Sequence, residues 1–520
     1  MRSRHDRKDL GLVLSPAAYH ELRARFSWSF PERLNMAEQV LAHPETQVAI
    51  IEHRRGTVSY GDLRARAGRL AAGLLARGVK PGDRVGVLRS QDAWCAAAHI
   101  AIWQIGAISL PLFKLFGADA LRVRLDDSGA ALVIADGESA VQVPAPVSTL
   151  VPEAVALPPP LEAIADTGPD TPALLIYTSG TTGKPKGALH GHRVLSGHLP
   201  GVAMSHDGLG APGDCLWTPA DWAWIGGLFD VAMPGLALGV PVVGARLAKF
   251  DPAGAVEVIT AHRVRNVFFP PTALRMLKAA GTEVGGLRSV ASGGEPLGAE
   301  MLDWGRDALG VTINEFYGQT ECNMVASSAS TRFPPRPGCI GKPVPGFEIA
   351  VIDVDGAEVA GEGEGEIAIR KGAGSMMLAY WNNPEATAEK FRGPWMLTGD
   401  RGSWEQGYLR FIGRDDDVIT SGGYRIGPAE IEDCLVTHPA VATAGVVGKP
   451  DPMRTEIVKA YVVLKPGAVA TEAELKEWVR SRVAAHAYPR EIAFVEALPM
   501  TVTGKIIRKA LKARAAEETA

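Results

Sequence analysis

The sequence predicts a layered α/β protein in two parts, a large one over residues 1–412 and a small one over 413–520. Three observations predict it. Apolar runs of strand length alternate with amphipathic helical stretches: Leu63 to Arg77 sets Leu70, Leu74 and Leu75 among arginines at helical spacing, and Gly82 to Leu88 reads as a strand beside it. The apolar run Ala173 to Tyr177 passes directly into a loop of small residues, hydroxyls and lysines, the pattern of a strand end that handles a ligand. Beyond the run Gly361-Glu362-Gly363-Glu364-Gly365-Glu366 short strands resume, and the charged turn Gly413-Arg414-Asp415-Asp416-Asp417 opens a compact last segment. The Pro-, Ala- and Val-rich stretch from Val141 to Pro172 reads as a surface connection inside the large part.

Composition narrows the function classes. A chain of 520 residues, 46% hydrophobic and 22% charged, can bury a large core. Its net charge of −4, with both signs mixed along the chain, gives neither a nucleic-acid footprint nor a basic membrane patch. Five scattered cysteines with no C-x-x-C spacing argue against a disulfide framework and a zinc ribbon, so a reducing cytoplasm is expected. The start, Met1 to Asp9, lacks an apolar region after its charges, and the run Val231 to Ala245 is short and broken by prolines; neither export nor a membrane span is expected. His190 and His192 flank one glycine without a third ligand and read as structural or solvated.

The loop Thr178-Ser179-Gly180-Thr181-Thr182-Gly183-Lys184-Pro185-Lys186 has the composition of a phosphate cradle. Glycines let the backbone approach a polyphosphate, hydroxyls donate, and Lys184 and Lys186 add charge where peptide N–H groups point outward. It is not a Walker A loop: Gly180 and Gly183 are too close, and Pro185 disfavours helical geometry at Lys184.

Four further motifs follow in order: Ser292-Gly293-Gly294-Glu295-Pro296; Asn314-Glu315-Phe316-Tyr317-Gly318-Gln319-Thr320-Glu321; Thr398-Gly399-Asp400; and Gly413-Arg414 through Lys505. With the loop, this ordered set resembles the acyl-CoA synthetases of the adenylate-forming superfamily, and its Tyr-Gly-Gln-Thr-Glu run resembles the medium-chain members. The resemblance implies a large multi-lobed α/β domain and a small mobile α+β domain that rotates about a hinge near Asp416. It implies ATP, Mg2+ and CoA as cofactors, a carboxylic acid as substrate, and transfer of the acid first to AMP and then to CoA. By resemblance Thr178 to Lys186 holds the β- and γ-phosphates, Thr320 touches the α-phosphate, and Glu321 ligates magnesium, a hard cation suited to carboxylate and phosphate oxygens. Gly294-Glu295-Pro296 and Glu315-Phe316-Tyr317 resemble the adenine slot, with Gly318 and Gln319 completing the nucleotide-binding strand, and Asp400 with Arg414 resembles the ribose clamp. Taken singly, Glu321 reads equally as a surface carboxylate, Tyr317 as core and Asp400 as a turn residue.

In the small part Lys505 resembles the lysine that neutralises charge during adenylation, although alone it reads as a solvated lysine before a basic helix. Gly422-Gly423-Tyr424-Arg425 resembles the CoA contact, joined by Arg454 and Tyr488. The Pro499-x4-Gly504-Lys505 pattern resembles a site of reversible lysine acetylation, which would make an acetyltransferase and a deacetylase partners; homo-oligomerisation is left open. For the acyl site, Trp224, Ile225 and Gly226 with Gly293 and Gly318 resemble lining positions. Three glycines there predict an apolar pocket widened at three places, hence a medium-chain or branched fatty acid, with an aryl acid as the alternative. An amino-acid-adenylating module and a non-catalytic nucleotide sensor are the rival readings. Gly226 stands where the former would carry an aspartate, and the latter has no use for Lys505 with a CoA strip.

Overall fold

Ser59 starts the helix Tyr60–Ala76: its hydroxyl accepts from the Asp62 amide while the Asp62 carboxylate returns to the Ser59 amide, closing a capping box. The helix buries Leu63, Ala67, Leu70 and Leu74, and turns Leu75 outward at 43% exposure, because only one face packs inward, chiefly on the helix Ala93–Gln104. The computed structural model describes residues 18–178, 185–247, 249–298, 300–421, 424–451, 453–483, 487–501 and 505–518.

Arg84–Leu88, where a strand is expected, lies inside a seven-stranded sheet between Ile108–Pro111 and Leu132–Ala135, parallel to both. In that sheet Pro172–Tyr177 pairs antiparallel with Gly187–Gly191, so the expected phosphate loop closes a hairpin and returns as a strand, as Pro185 suggested. A nine-stranded sheet contains six consecutive parallel strands: Ile313–Gln319, Ser289–Gly293, Asn266–Phe268, Leu216–Trp217, Val242–Gly244 and Val48–Glu52. Such strands are buried on both faces, and their carboxyl ends open into crevices where ligands bind. A third, antiparallel sheet joins Glu364–Arg370 to Trp395–Glu405 and Tyr408–Arg414, placing Asp400 opposite Arg414.

The last segment builds its own five-stranded sheet, running from the edge strand Tyr424–Ile426 through Ile419–Ser421 and Thr455–Leu464 to Val441–Asp451, with Glu491–Phe494 beside Thr455–Leu464. Period-two alternation gives each face its own core. Val446, Val458, Ala460 and Val462 pack with Ile431, Leu435, Leu475 and Val479 of two helices, whereas Val447 and Tyr461 pack with Leu511 and Ala515 of the helix Arg508–Glu517. Among the described residues no helix is long and apolar enough to cross a membrane.

Candidate active site

The expected site residues converge on strand ends. Gly293 to Pro296 follow the parallel strand Ser289–Gly293, and Thr320-Glu321 forms the two-residue tip between the antiparallel strands Ile313–Gln319 and Cys322–Ser327. On the tip, Glu321 is 9% exposed and its Oε1 accepts the Tyr380 hydroxyl at 2.5 Å, while its carbonyl accepts the Met377 amide. Burial, reinforced by the Glu321 charge, pushes the Tyr380 phenol far above its usual range, so it stays a proton donor to the carboxylate. The other face of Tyr380 receives Lys186, whose Nζ stands 5.3 Å from the ring centroid. Tyr380 thus couples the tip to the loop after Tyr177, where the Thr178 amide donates to the Lys186 carbonyl at 2.9 Å. Ser179, Gly180, Thr181, Thr182, Gly183 and Lys184 lie outside the described residues.

Strand alternation sends Glu315, Tyr317 and Gln319 to one face of Ile313–Gln319 and Phe316 and Gly318 to the other. Tyr317 Oη and Gln319 Nε2 both donate to Asp400 Oδ2, at 2.6 and 2.7 Å. Burial raises the Asp400 carboxyl, and these two donors with the Arg414 charge oppose the rise, which keeps an acceptor oxygen buried in place. Lys390, which no motif marked, donates to Gln319 Oε1 at 3.2 Å. Glu315 accepts the Leu297 amide, and burial lifts its carboxyl to about 8. Arg275, also unmarked, ties down the preceding turn through Glu295 Oε2 at 3.2 Å and the Pro296 carbonyl at 3.0 Å.

The small segment reaches this cluster directly. Lys505 sits at the mouth of a turn in which its amide donates to Thr501 Oγ1, and its Nζ lies 3.7 Å from where a Cβ on Gly294 would stand. Gly294 holds φ +93°, a conformation that favours glycine. Nearby, the Asp433 carboxylate lies 3.7 Å from the Cβ position of Gly298, and Arg410 pairs with Glu430. At the expected hinge Asp416 Oδ1 accepts from Arg414 Nε at 3.3 Å, and its carbonyl accepts the Lys512 ammonium. Gly422 and Gly423 lie outside the described residues; Tyr424 and Arg425 stand on the edge strand Tyr424–Ile426. Ser421 pairs with both Tyr424 and Thr455, which brings Arg454 beside that strip, while Tyr488 packs on the neighbouring core under Arg490. Lys505 belongs with the opposite edge: Leu498, Ile506 and Leu511 cover Gly445 of Val441–Asp451.

The acyl positions differ from expectation. A Cβ on Gly318 would stand 2.3 Å from Asn323 Oδ1 and 2.4 Å from the Met324 amide nitrogen, so this glycine permits a close backbone approach and opens no channel. The space beside Gly293 is filled by the Phe316 ring at 2.6 Å, and that beside Gly226 by Phe268 at 3.1 Å; the two rings touch each other at 5.2 Å. At all three glycines the room a side chain would take is thus held by close neighbours, and Phe316, expected with Tyr317 around the adenine, faces this side instead. Trp224 packs against Phe113 and Phe116, with Ile225 partly buried beside it. His190 and His192 are buried and structural: burial holds them down to about 3 and about 4, and the Met36 amide donates to His192 Nδ1.

Residues 36–381 match the family model described as AMP-binding enzyme, and 430–505 match that of the AMP-binding enzyme C-terminal domain. The chain belongs to the AMP-binding enzyme family. This AMP-binding enzyme is 35% identical over 479 residues to the acetyl-coenzyme A synthetase of Bacillus subtilis (strain 168), covering 84% of this chain and 81% of that one. It is 33% identical over 471 residues to the mitochondrial acyl-coenzyme A synthetase ACSM2 of Rattus norvegicus, again covering 84% and 81%. Among solved structures, the anthranilate CoA ligase AuaEII in complex with anthranoyl-AMP superposes with a TM-score of 0.86 at 26% identity, covering 94% of this chain and 98% of that one.

Proposed function

We propose that this AMP-forming acid–CoA ligase activates a short carboxylic acid in two steps at one site served twice by its small domain. The observation that carries the proposal is the approach of Lys505 to Gly294, on strand ends beside Thr320 and Glu321, with the Asp400–Arg414 pair tied to the same strand through Tyr317 and Gln319. In the first step a carboxylate oxygen attacks the α-phosphorus of ATP, the α–β anhydride bond breaks, and pyrophosphate leaves. Charge builds on phosphate oxygens as that bond lengthens, and in this reading the Lys505 ammonium, Thr320 and the loop residues from Thr178 to Lys186 meet it. Asp400 and Arg414 hold the ribose, and Tyr317, its hydroxyl fixed by Asp400, offers a ring of set orientation to the adenine.

Glu321 fits the Mg2+ that this chemistry calls for. It presents a carboxylate next to the Thr320 hydroxyl, and burial keeps the neighbouring His190 uncharged. When bound, the metal neutralises phosphate charge. Tyr380 orients the Glu321 carboxylate from behind.

In the second step the CoA thiolate sulfur attacks the acyl carbon and AMP leaves. Rotation about Asp416 withdraws Lys505 and presents the strip from Gly422 to Arg425, with Arg454 and with Tyr488 of the adjoining core, to the thiol-bearing arm. The position of Tyr424–Ile426 on the sheet edge opposite Val441–Asp451, whose Gly445 meets Ile506, supports such an exchange. Lys505 is exposed, so acetylation by a lysine acetyltransferase would remove its charge and stop the first step. The packed rings at Gly226 and Gly293 support a short acid over a medium chain. Pyrophosphate release measured with acetate, butyrate, octanoate and benzoate, each with and without CoA, tests the reading. Release with the short acids and CoA-dependent thioester formation are expected; ATP binding without acid-dependent release would refute it.

A further inference from the structure

The turn that carries Asp230 is the least ordinary element near the acyl positions. Leu228–Ala232 is a π-helical turn, a form concentrated at functional sites, and Asp230 at its centre is 2% exposed. His198 Nδ1 lies 3.1 Å from Asp230 Oδ1, and Asn323 Nδ2 donates to both carboxylate oxygens at 2.8 Å. The three residues come from three separate elements: this turn, the helix Arg193–Ser205 and the strand Cys322–Ser327. His198 Nε2 is buried without a hydrogen-bond partner. Asn323 Oδ1 accepts the amide of Met324, which holds φ +52° although it is not a glycine, a strained conformation that surroundings must enforce.

These polar atoms stand at the glycines already discussed. Asp230 Oδ2 lies 3.6 Å from the Cβ position of Gly226, and Asn323 Oδ1 lies 2.3 Å from that of Gly318. Apolar residues of equal volume would serve packing as well or better than a buried carboxylate with an imidazole, so packing alone does not account for the cluster. With Nδ1 donating to the carboxylate, the imidazole leaves Nε2 as an acceptor, which suits a hydroxyl that donates without bringing a charge; an ammonium would also donate but would bring an extra charge.

We propose that Asp230, Asn323 and His198 form the far wall of the acyl site, so that the enzyme selects a short acid carrying a hydroxyl at its far end over a hydrocarbon acid of the same length. This rests on the acid–CoA ligase reading above, and the phenyl rings of Phe268 and Phe316, packed against each other, stand on the apolar side of Gly226 and Gly293. Asp230 and Asn323 are specificity-determining residues in this account. A site built around a hydrogen bond rejects an analogue that lacks the group by large factors, roughly 10-fold or more being expected here.

The test measures kcat/KM for acid-dependent pyrophosphate release with two matched pairs, β-hydroxypropionate against butyrate and γ-hydroxybutyrate against valerate, and with β-alanine. The wild type should favour the hydroxy acid in at least one pair by roughly 10-fold or more. Asp230→Leu should invert that preference, and Asp230→Asn, which keeps the volume, should bring it towards parity at an unchanged Tm should the leucine variant fail to fold. Preference for butyrate and valerate, preference for β-alanine, or an Asp230→Asn variant that loses rate equally on both members of a pair would overturn the proposal. The last outcome would mark the cluster as a support for the fold. Release with none of the acids would instead overturn the ligase reading itself.

Discussion

Replacing Gly318 with alanine tests how tightly the Thr320-Glu321 tip is built. The added methyl would stand 2.4 Å from the Met324 amide nitrogen, against the 3.4 Å at which ordinary contacts begin, so the two strands must separate by about 1 Å next to the tip. Asn323 Oδ1, at 2.3 Å, cannot give way freely because it accepts the Met324 amide while its nitrogen serves Asp230. Overpacking of this kind costs about 1–3 kcal/mol, which in a chain of this size lowers Tm by only about a few degrees. The larger effect is on rate, since Glu321 lies three residues after Gly318 on one strand side and two residues before Asn323 on the other. Displacing a positioning group by about 1 Å costs roughly 100-fold. Differential scanning fluorimetry with pyrophosphate-release kinetics reads both quantities. A Gly318→Ala protein with wild-type Tm and wild-type kcat would refute the close approach and restore the open channel that the sequence suggested.

Tyr380→Phe removes the donor that orients Glu321; the Mg2+ concentration for half-maximal rate should rise by roughly 10-fold or more at little change in acid KM, and an unchanged requirement would separate Tyr380 from the metal site. Asp416→Pro should leave pyrophosphate release intact and slow thioester formation from supplied acyl-AMP, whereas equal loss of both would indicate damage to the fold. Burial lifts the Asp433 carboxyl from its usual 3.8 to about 7, with Arg275 opposing the rise and Glu432, Glu300 and Glu430 adding to it. The folded chain then binds more protons than the unfolded one between these values, so this group's contribution to stability is fullest near pH 4 and declines as pH rises towards 7. Asp433→Asn should flatten that part of the pH–Tm profile, and a profile identical to wild type would contradict the assignment.

Much of the frame was legible because periodicity reports burial. The helix over Leu63 to Arg77 and the strand over Arg84 to Leu88 follow from patterns that one apolar face imposes, and Pro185 excluded a helix after the phosphate loop because it fixes local geometry. The glycines were not legible. Gly318, Gly293 and Gly226 read alike as missing side chains, yet a glycine serves both an open pocket and a close contact, and only the neighbours in space distinguish them. Phe316 could have been separated from Tyr317 by strand alternation, since adjacent residues on a strand face opposite ways. Tyr380, Arg275 and Lys390 act through contacts far apart in sequence and carry no local pattern. Asp230 offered one sign, a lone acidic residue inside an apolar stretch between Leu228 and Leu238, which a buried position makes costly unless it is used.

The two half-reactions of Lys505→Ala test the central claim most directly, because the proposed role of the ammonium is confined to the departure of pyrophosphate. Acid-dependent pyrophosphate release should fall by roughly 100- to 1,000-fold, the usual effect of losing one charge-stabilising group, while conversion of supplied acyl-AMP and CoA to acyl-CoA proceeds at near the wild-type rate. Equal loss in both assays, or full pyrophosphate release without the lysine, would contradict the account.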